Sequence, residues 1–161
     1  MARIAVFLGI FLALATPAMA GEDAHAKWLK AQEIFLRENY FHMNWKRTAS
    51  GLQYLAPKHV ENPDAPHPLP NAVVTVHYEV KLITGRVADS SYARKTPLTI
   101  ALSEAVPGWR EALPLMRAGE TWQFVLPAEL GYGDAPMGPI PAGSVLQFKI
   151  ELLKFERPSL N

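Results

Sequence analysis

Residues 74–82 alternate without a fault: Val74, Val76, Tyr78, Val80 and Leu82 fall on one side, and Thr75, His77, Glu79 and Lys81 on the other. A period of two residues is that of a β-strand, and one apolar face beside one polar face makes the strand half-buried. Such a strand needs partners. Thr84-Gly85 closes it with a turn, and three later runs repeat its pattern. These are Leu98, Ile100 and Leu102; Trp122, Phe124 and Leu126 against Thr121 and Gln123; and Leu146, Phe148, Ile150 and Leu152 against Gln147, Lys149 and Glu151. Leu52 and Tyr54 open a shorter run after the Thr48-Ala49-Ser50-Gly51 break, and Pro63, Pro66, Pro68 and Pro70 mark a surface connector. The expectation is an α+β domain with an antiparallel sheet of about five strands, residues from about Ser50 to Glu156 sharing one core.

One stretch, Ala105 to Leu113, breaks the alternation with a helical pattern. Pro107 and Gly108 force a tight chain entry, so the helix is expected to begin about where the indole of Trp109 is attached. Two readings stand for Trp109, flanked by Val106 and Leu113: plain core, or the floor of an apolar pocket. A loop rich in glycine and proline, residues 128–143, then leads to the last strand.

Upstream of the domain the chain changes character. Arg3, the apolar run from Ile4 to Leu14, and small residues at Ala18 and Ala20 have the layout of a secretory signal peptide cleaved after Ala20. The apolar run is shorter than the ~20 residues that span a bilayer. The mature chain is then expected to start at Gly21 in an exported compartment; a periplasm fits, with outer-membrane association or secretion as alternatives. From Ala24 to Tyr40 the residues favour a helix outside the domain, with Trp28, Ala31, Ile34, Phe35 and Leu36 on its apolar side. Being marginal alone, that helix needs the domain or a second copy of itself, which leaves monomer and helix-mediated dimer both open. The division expected is 1–20 signal peptide, 21–47 helical extension and 48–161 domain.

The formal net charge of +1 provides no long-range field for nucleic acid or an anionic membrane. Cysteine is absent, which excludes disulfides, thiolate catalysis, cysteine-based zinc sites and a lipoprotein anchor. His25, His42, His59, His67 and His77 form no close pair at ligand spacing, so no metal and no cofactor are expected.

Taken in order, Val76-His77-Tyr78, Asp89-Ser90-Ser91, Val106-Pro107-Gly108-Trp109, Leu126 to Gly133, Ile140-Pro141 and Leu146 to Leu153 resemble the FKBP family of peptidyl-prolyl cis-trans isomerases. The lead-in Ala49 to Tyr54 resembles bacterial members with an N-terminal helical extension. The resemblance implies a bent antiparallel sheet wrapped around one short helix, with the pocket between them. It implies an isomerase of X-Pro bonds acting on proline-containing clients, with macrolides as further ligands. Carried over residue by residue, it places Trp109 at the floor and Tyr78, Val106, Ile140 and Phe148 at the walls, with Asp89 and Tyr132 as the catalytic polar groups. Leu98 and Ile100, together with Ala88, stand where well-known members have phenylalanine, leaving the substrate-binding pocket apolar but wider, and the loop from Gly133 to Ile140 is short.

Duller readings accompany these. Asp89 before two serines also suits a turn cap, Tyr132 a loop aromatic over the core edge, and Tyr78 and Phe148 ordinary core. A hydrolase built from Ser90, His77 and Asp89 lacks a nucleophile elbow. The alternative function is a binding module or holdase of the same fold with weak or no isomerase activity.

Overall fold

The structure is a computed structural model and describes residues 17–57 and 62–156. Apart from residues 17–20, the expected signal peptide lies outside the described residues. Helix α1 (Pro17–Tyr40) leads into strands β1 (Lys46–Arg47), β2 (Gln53–Leu55), β3 (Val73–Leu82) and β4 (Val87–Ser90). The short helix α2 (Ser91–Arg94), β5 (Leu98–Ala101), helix α3 (Pro107–Ala112), β6 (Thr121–Leu126) and β7 (Leu146–Glu156) follow.

The strands form one antiparallel sheet ordered β1-β2-β6-β7-β3-β4, with β5 also paired to β3. Strand β3 organises it. Along one flank it pairs with β7 from Val73 opposite Glu156 to Leu82 opposite Leu146. Its other flank is shared, Val73–Val76 by β5 and Glu79–Lys81 by β4. The sequence pattern holds along it, since Val74, Val76, Tyr78, Val80 and Leu82 are buried and the residues between them are half-exposed. The sheet has seven strands rather than about five because β1 and β4 also pair; β1 has two residues, and Val87-Ala88-Asp89-Ser90 of β4 does not alternate apolar with polar.

Helix α3 packs on the apolar face of the sheet, where Trp109 meets Tyr78 and Phe148. It begins at Pro107, two residues before the indole, with Val106 as N-cap and Pro107 in the first turn, where a missing N–H costs nothing. A 3₁₀ turn, Leu113–Leu115, carries the chain through Pro114. The helix comes very close to β6: a Cβ added at Gly108 would lie 2.2 Å from Leu126 Cδ2. Between helix and sheet sits the core, in which Leu52, Leu82, Leu102, Leu113, Phe124, Leu126, Leu146 and Ile150 are fully buried.

Helix α1 stays outside this core but packs on it, starting upstream of the expected Ala24. Near its C-terminal end the buried Gln53 amide donates to Leu36 O at 2.7 Å and accepts from Asn39 Nδ2 at 2.8 Å. Sheet pairing begins at Lys46, just ahead of the expected domain start.

Candidate active site

Between α3 and the sheet opens a cavity of ≈ 420 Å³. Trp109 forms its floor because α3 points the indole at the sheet, where it meets Tyr78 of β3 and Phe148 of β7 edge-on, with ring centroids 5.3 and 5.5 Å away. Such tilted contacts let the positive edge of one ring meet the negative face of another. Trp109 is both of the things its sequence position allowed. It is 5% exposed and packed in the core cluster, and it lines the cavity. Its Nε1 has no hydrogen-bond partner among the described residues.

All nine residues singled out from the sequence line this cavity: Tyr78, Asp89, Leu98, Ile100, Val106, Trp109, Tyr132, Ile140 and Phe148. Different elements deliver them. Strands β3 and β7 bring Tyr78 and Phe148 on inward positions, and β5 brings Leu98 and Ile100 to one wall. Val106 caps α3, and its backbone N–H donates to no group among the described residues. Tyr132 and Ile140 come from the loop between β6 and β7.

Asp89 sits in β4, where its carboxylate accepts from the Tyr78 hydroxyl and is paired with Arg94. It also accepts from the Ser90 N–H at 2.8 Å. Arg94 Nη2 donates to the Tyr78 oxygen at 3.0 Å, and the guanidinium lies over the Tyr78 ring, 5.7 Å from its centroid. Burial pulls the Asp89 pKa up, yet hydrogen bonds from Tyr78, Arg94 and Ser90 with the Arg94 charge outweigh it, leaving the carboxyl below its usual range. The Tyr132 phenol is pushed up by burial first and by the Asp89 charge second. Burial and the bond to Asp89 raise Tyr78 in the same way, the nearby Arg94 opposing.

Geometry bears on two of the competing readings, the Asp89 cap and the Ser90–His77–Asp89 relay. Capping belongs to Ser90, which accepts from the Ala93 N–H at 3.2 Å and starts α2, while Asp89 holds the Tyr78–Arg94 cluster. A Ser90–His77–Asp89 relay does not exist, because His77 contacts Ser91 instead and Asp89 faces Tyr78 and Arg94. Ser91 is fully buried, with its hydroxyl bound to both the N–H and the C=O of Tyr78, so it is no nucleophile.

Sequence reasoning missed Arg94, whose only signal was a positive charge one helical turn beyond Asp89. It also missed Glu104 at the mouth and the Met137-Gly138-Pro139 tip over it. That tip is a tight turn closed by hydrogen bonds of 2.9 and 3.0 Å between Met137 and Ile140, and Arg86 donates to its Pro139 carbonyl. Glycine at 138 suits its φ of 54°.

Residues 65–153 match the family model described as FKBP-type peptidyl-prolyl cis-trans isomerase. FkpA of Aeromonas hydrophila, named an FKBP-type peptidyl-prolyl cis-trans isomerase, is 39% identical over 144 residues, 89% of this chain and 52% of that protein. A protein of Legionella longbeachae named outer membrane protein MIP is 41% identical over 109 residues, 67% of this chain and 46% of its own length. The chain thus spans about half the length of the curated relatives it matches. The crystal structure of FkpA from Escherichia coli superposes with a TM-score of 0.76 at 32% identity, covering 86% of this chain and 64% of that one. With the fold, the pocket and the family model in agreement over most of the domain, this chain belongs to the FKBP-type peptidyl-prolyl cis-trans isomerase family.

Proposed function

We propose that the chain catalyses cis–trans isomerisation of X-Pro bonds in exported polypeptides, with Asp89 and Tyr132 as its catalytic polar groups. The observation that carries this reading is the open apolar hollow over Trp109 with the Asp89 cluster and Tyr132 at its side. The chemical problem is rotation about an imide whose resonance imposes a barrier of ~18–20 kcal/mol and exchange times of tens to hundreds of seconds. No bond to a catalyst is needed. A planar imide is more dipolar than a twisted one, so a dry cup that fits the twisted form favours the transition state. Reaching milliseconds takes four to five decades, or ~5.5–7 kcal/mol.

In this reading the prolyl ring rests on Trp109 between Tyr78, Val106, Leu98, Ile100, Ile140 and Phe148. The unpartnered Val106 N–H and the Tyr132 hydroxyl hold substrate carbonyls in the bound geometry. Asp89, fixed by Tyr78 and Arg94, presents a preorganised negative charge to the carbon of the rotating carbonyl. Export rests on the signal-peptide pattern at residues 1–20 and agrees with the name of the Legionella relative. Among the described residues no helix is long and apolar enough to cross a membrane.

The test is exchange of a proline-containing tetrapeptide with purified residues 21–161. Acceleration well above the spontaneous rate, lost when the pocket is blocked, is the expected result. A rate equal to the spontaneous one ends the isomerase reading and leaves the client-binding module of the same fold.

A further inference from the structure

The pocket wall made by Ile140 and the Met137 tip belongs to a loop, residues 133–143, that is closed at its base by Gly143 N–H donating to Gly133 O at 2.9 Å. Besides the tip and this base, the loop's own hydrogen bonds are Ala135 N–H to Tyr132 O at 3.3 Å and the Ser144 hydroxyl to Pro141 O at 2.6 Å, and a loop with so few opens at low cost. What braces the base is α1. The Trp28 indole N–H donates to Ala142 O at 3.2 Å. The Val145 N–H, one residue before β7, donates to Gln32 Oε1 at 3.0 Å, and Gln32 is only 4% exposed. Between those two bonds Leu29 lies over Gly143, where an added Cβ would be 2.3 Å from Leu29 Cδ2. Three consecutive contacts from one helix face thus grip residues 142–145, while Arg86 grips the tip from the β3–β4 turn.

Resting on the isomerase reading above, we propose that α1 is a positioning element for the active site, its Trp28, Leu29 and Gln32 setting the place of the Ile140 wall and therefore how tightly a prolyl substrate is held. None of these residues touches the cavity; they act through the loop. A buried amide is costly unless bonded, so Gln32 in that position has a task that a leucine would not do, namely to satisfy the Val145 N–H. Whatever engages or bends this helix is thereby coupled to the pocket.

The test uses Trp28→Phe, which keeps the ring and loses the donor, Gln32→Leu, and Gln32→Glu, which restores an acceptor for Val145. Lys30→Ala on the exposed side is the control. KM and kcat for the tetrapeptide are measured beside hydrogen exchange of residues 133–145. For Trp28→Phe with Gln32→Leu the KM is expected to rise about three- to tenfold with kcat held within about twofold. Exchange should speed up in 133–145 and not in β3, Gln32→Glu should restore both readings, and Lys30→Ala should change neither. Unaltered KM and loop exchange in the double variant would overturn the proposal, as would exchange that rises equally throughout the domain, which is loss of stability alone. An inactive unsubstituted chain would defeat the isomerase reading instead, and loop exchange would then decide the brace by itself.

Discussion

At Asp89 the competing effects are close together and one geometry decides between them. The side chain is 43% exposed, so its pairing with Arg94 is partly screened and adds little stability. Its consequence is for chemistry: the carboxyl is held below its usual range of about 3.9, and the pocket keeps its negative charge through mild acid. The linkage has one sign. A depressed folded-state pKa means that any stability from this group is present above the unfolded value and is lost as pH falls through the folded one. The kcat/KM profile should therefore stay flat from neutral pH down to about pH 4 and fall only below it. Replacing Arg94 with leucine should move the acid limb to higher pH; an unmoved limb would remove Asp89 from the reaction. Tyr132→Phe tests the other polar group. Under the proposed role of its hydroxyl in holding a substrate carbonyl, the substitution should lower kcat/KM about five- to tenfold, at ~1–1.4 kcal/mol, with the melting temperature nearly unchanged.

The contacts between elements are where stability is most exposed to single changes. Gly108 allows α3 to lie against β6, and a Cβ there would press on Leu126 Cδ2, with Leu130 O a further 3.0 Å neighbour. Gly108→Ala should cost ~1–3 kcal/mol by overpacking, read as a lower urea midpoint at unchanged m. Ser91→Ala acts on the junction of β3 and α2, leaving the Tyr78 N–H, which donates to Ser91 Oγ at 2.7 Å, buried without a partner. A loss of ~1–3 kcal/mol is expected on the same measurement. Elements of this kind also mark how far sequence reading reached. The strands β3, β6 and β7 were legible because each has a long amphipathic period, and α3 because Pro107-Gly108 punctuates it. Helix α2 and strand β4 were not, since Ser91-Tyr92-Ala93-Arg94 is too short for a helical repeat and Val87-Ala88-Asp89-Ser90 does not alternate apolar with polar. That α1 needs the domain or a second copy was legible in its apolar side with Trp28, whereas where it seats was not, for another reason. Besides Trp28 and Leu29, that seat uses the buried polar side chains Gln32 and Gln53, which composition assigns to the surface. Of the candidate site, every apolar wall was readable as an inward strand position or from the family likeness. Arg94, Arg86 and the Met137 tip are brought in only by tertiary folding.

Across the whole molecule, three phenols in different elements share one electrostatic tendency. Tyr78 of β3, Tyr92 of α2 and Tyr132 of the β6–β7 loop all have raised pKa values, with burial the first cause in each. Tyr92 goes furthest, to about 12, because its hydroxyl also donates to Glu151 Oε2 of β7 at 3.1 Å. Its ring stacks on His77, centroids 4.8 Å apart, so α2 is held to the sheet by the same residue. A raised folded-state pKa makes the sign plain. Stability from these groups is complete below the unfolded tyrosine value of about 10 and is lost as pH climbs through the folded values, because the unfolded chain releases its protons first. The melting temperature should accordingly hold level from neutral pH to about 10 and then descend toward 12. Removing one contributor separates this from general alkaline loss of lysine charge. Tyr92→Phe gives up the bond to Glu151 and should lower the melting temperature at neutral pH, yet descend less steeply above pH 10 than the parent chain. Parallel curves for the two proteins would mean that the phenol at 92 is not what couples alkaline pH to the fold.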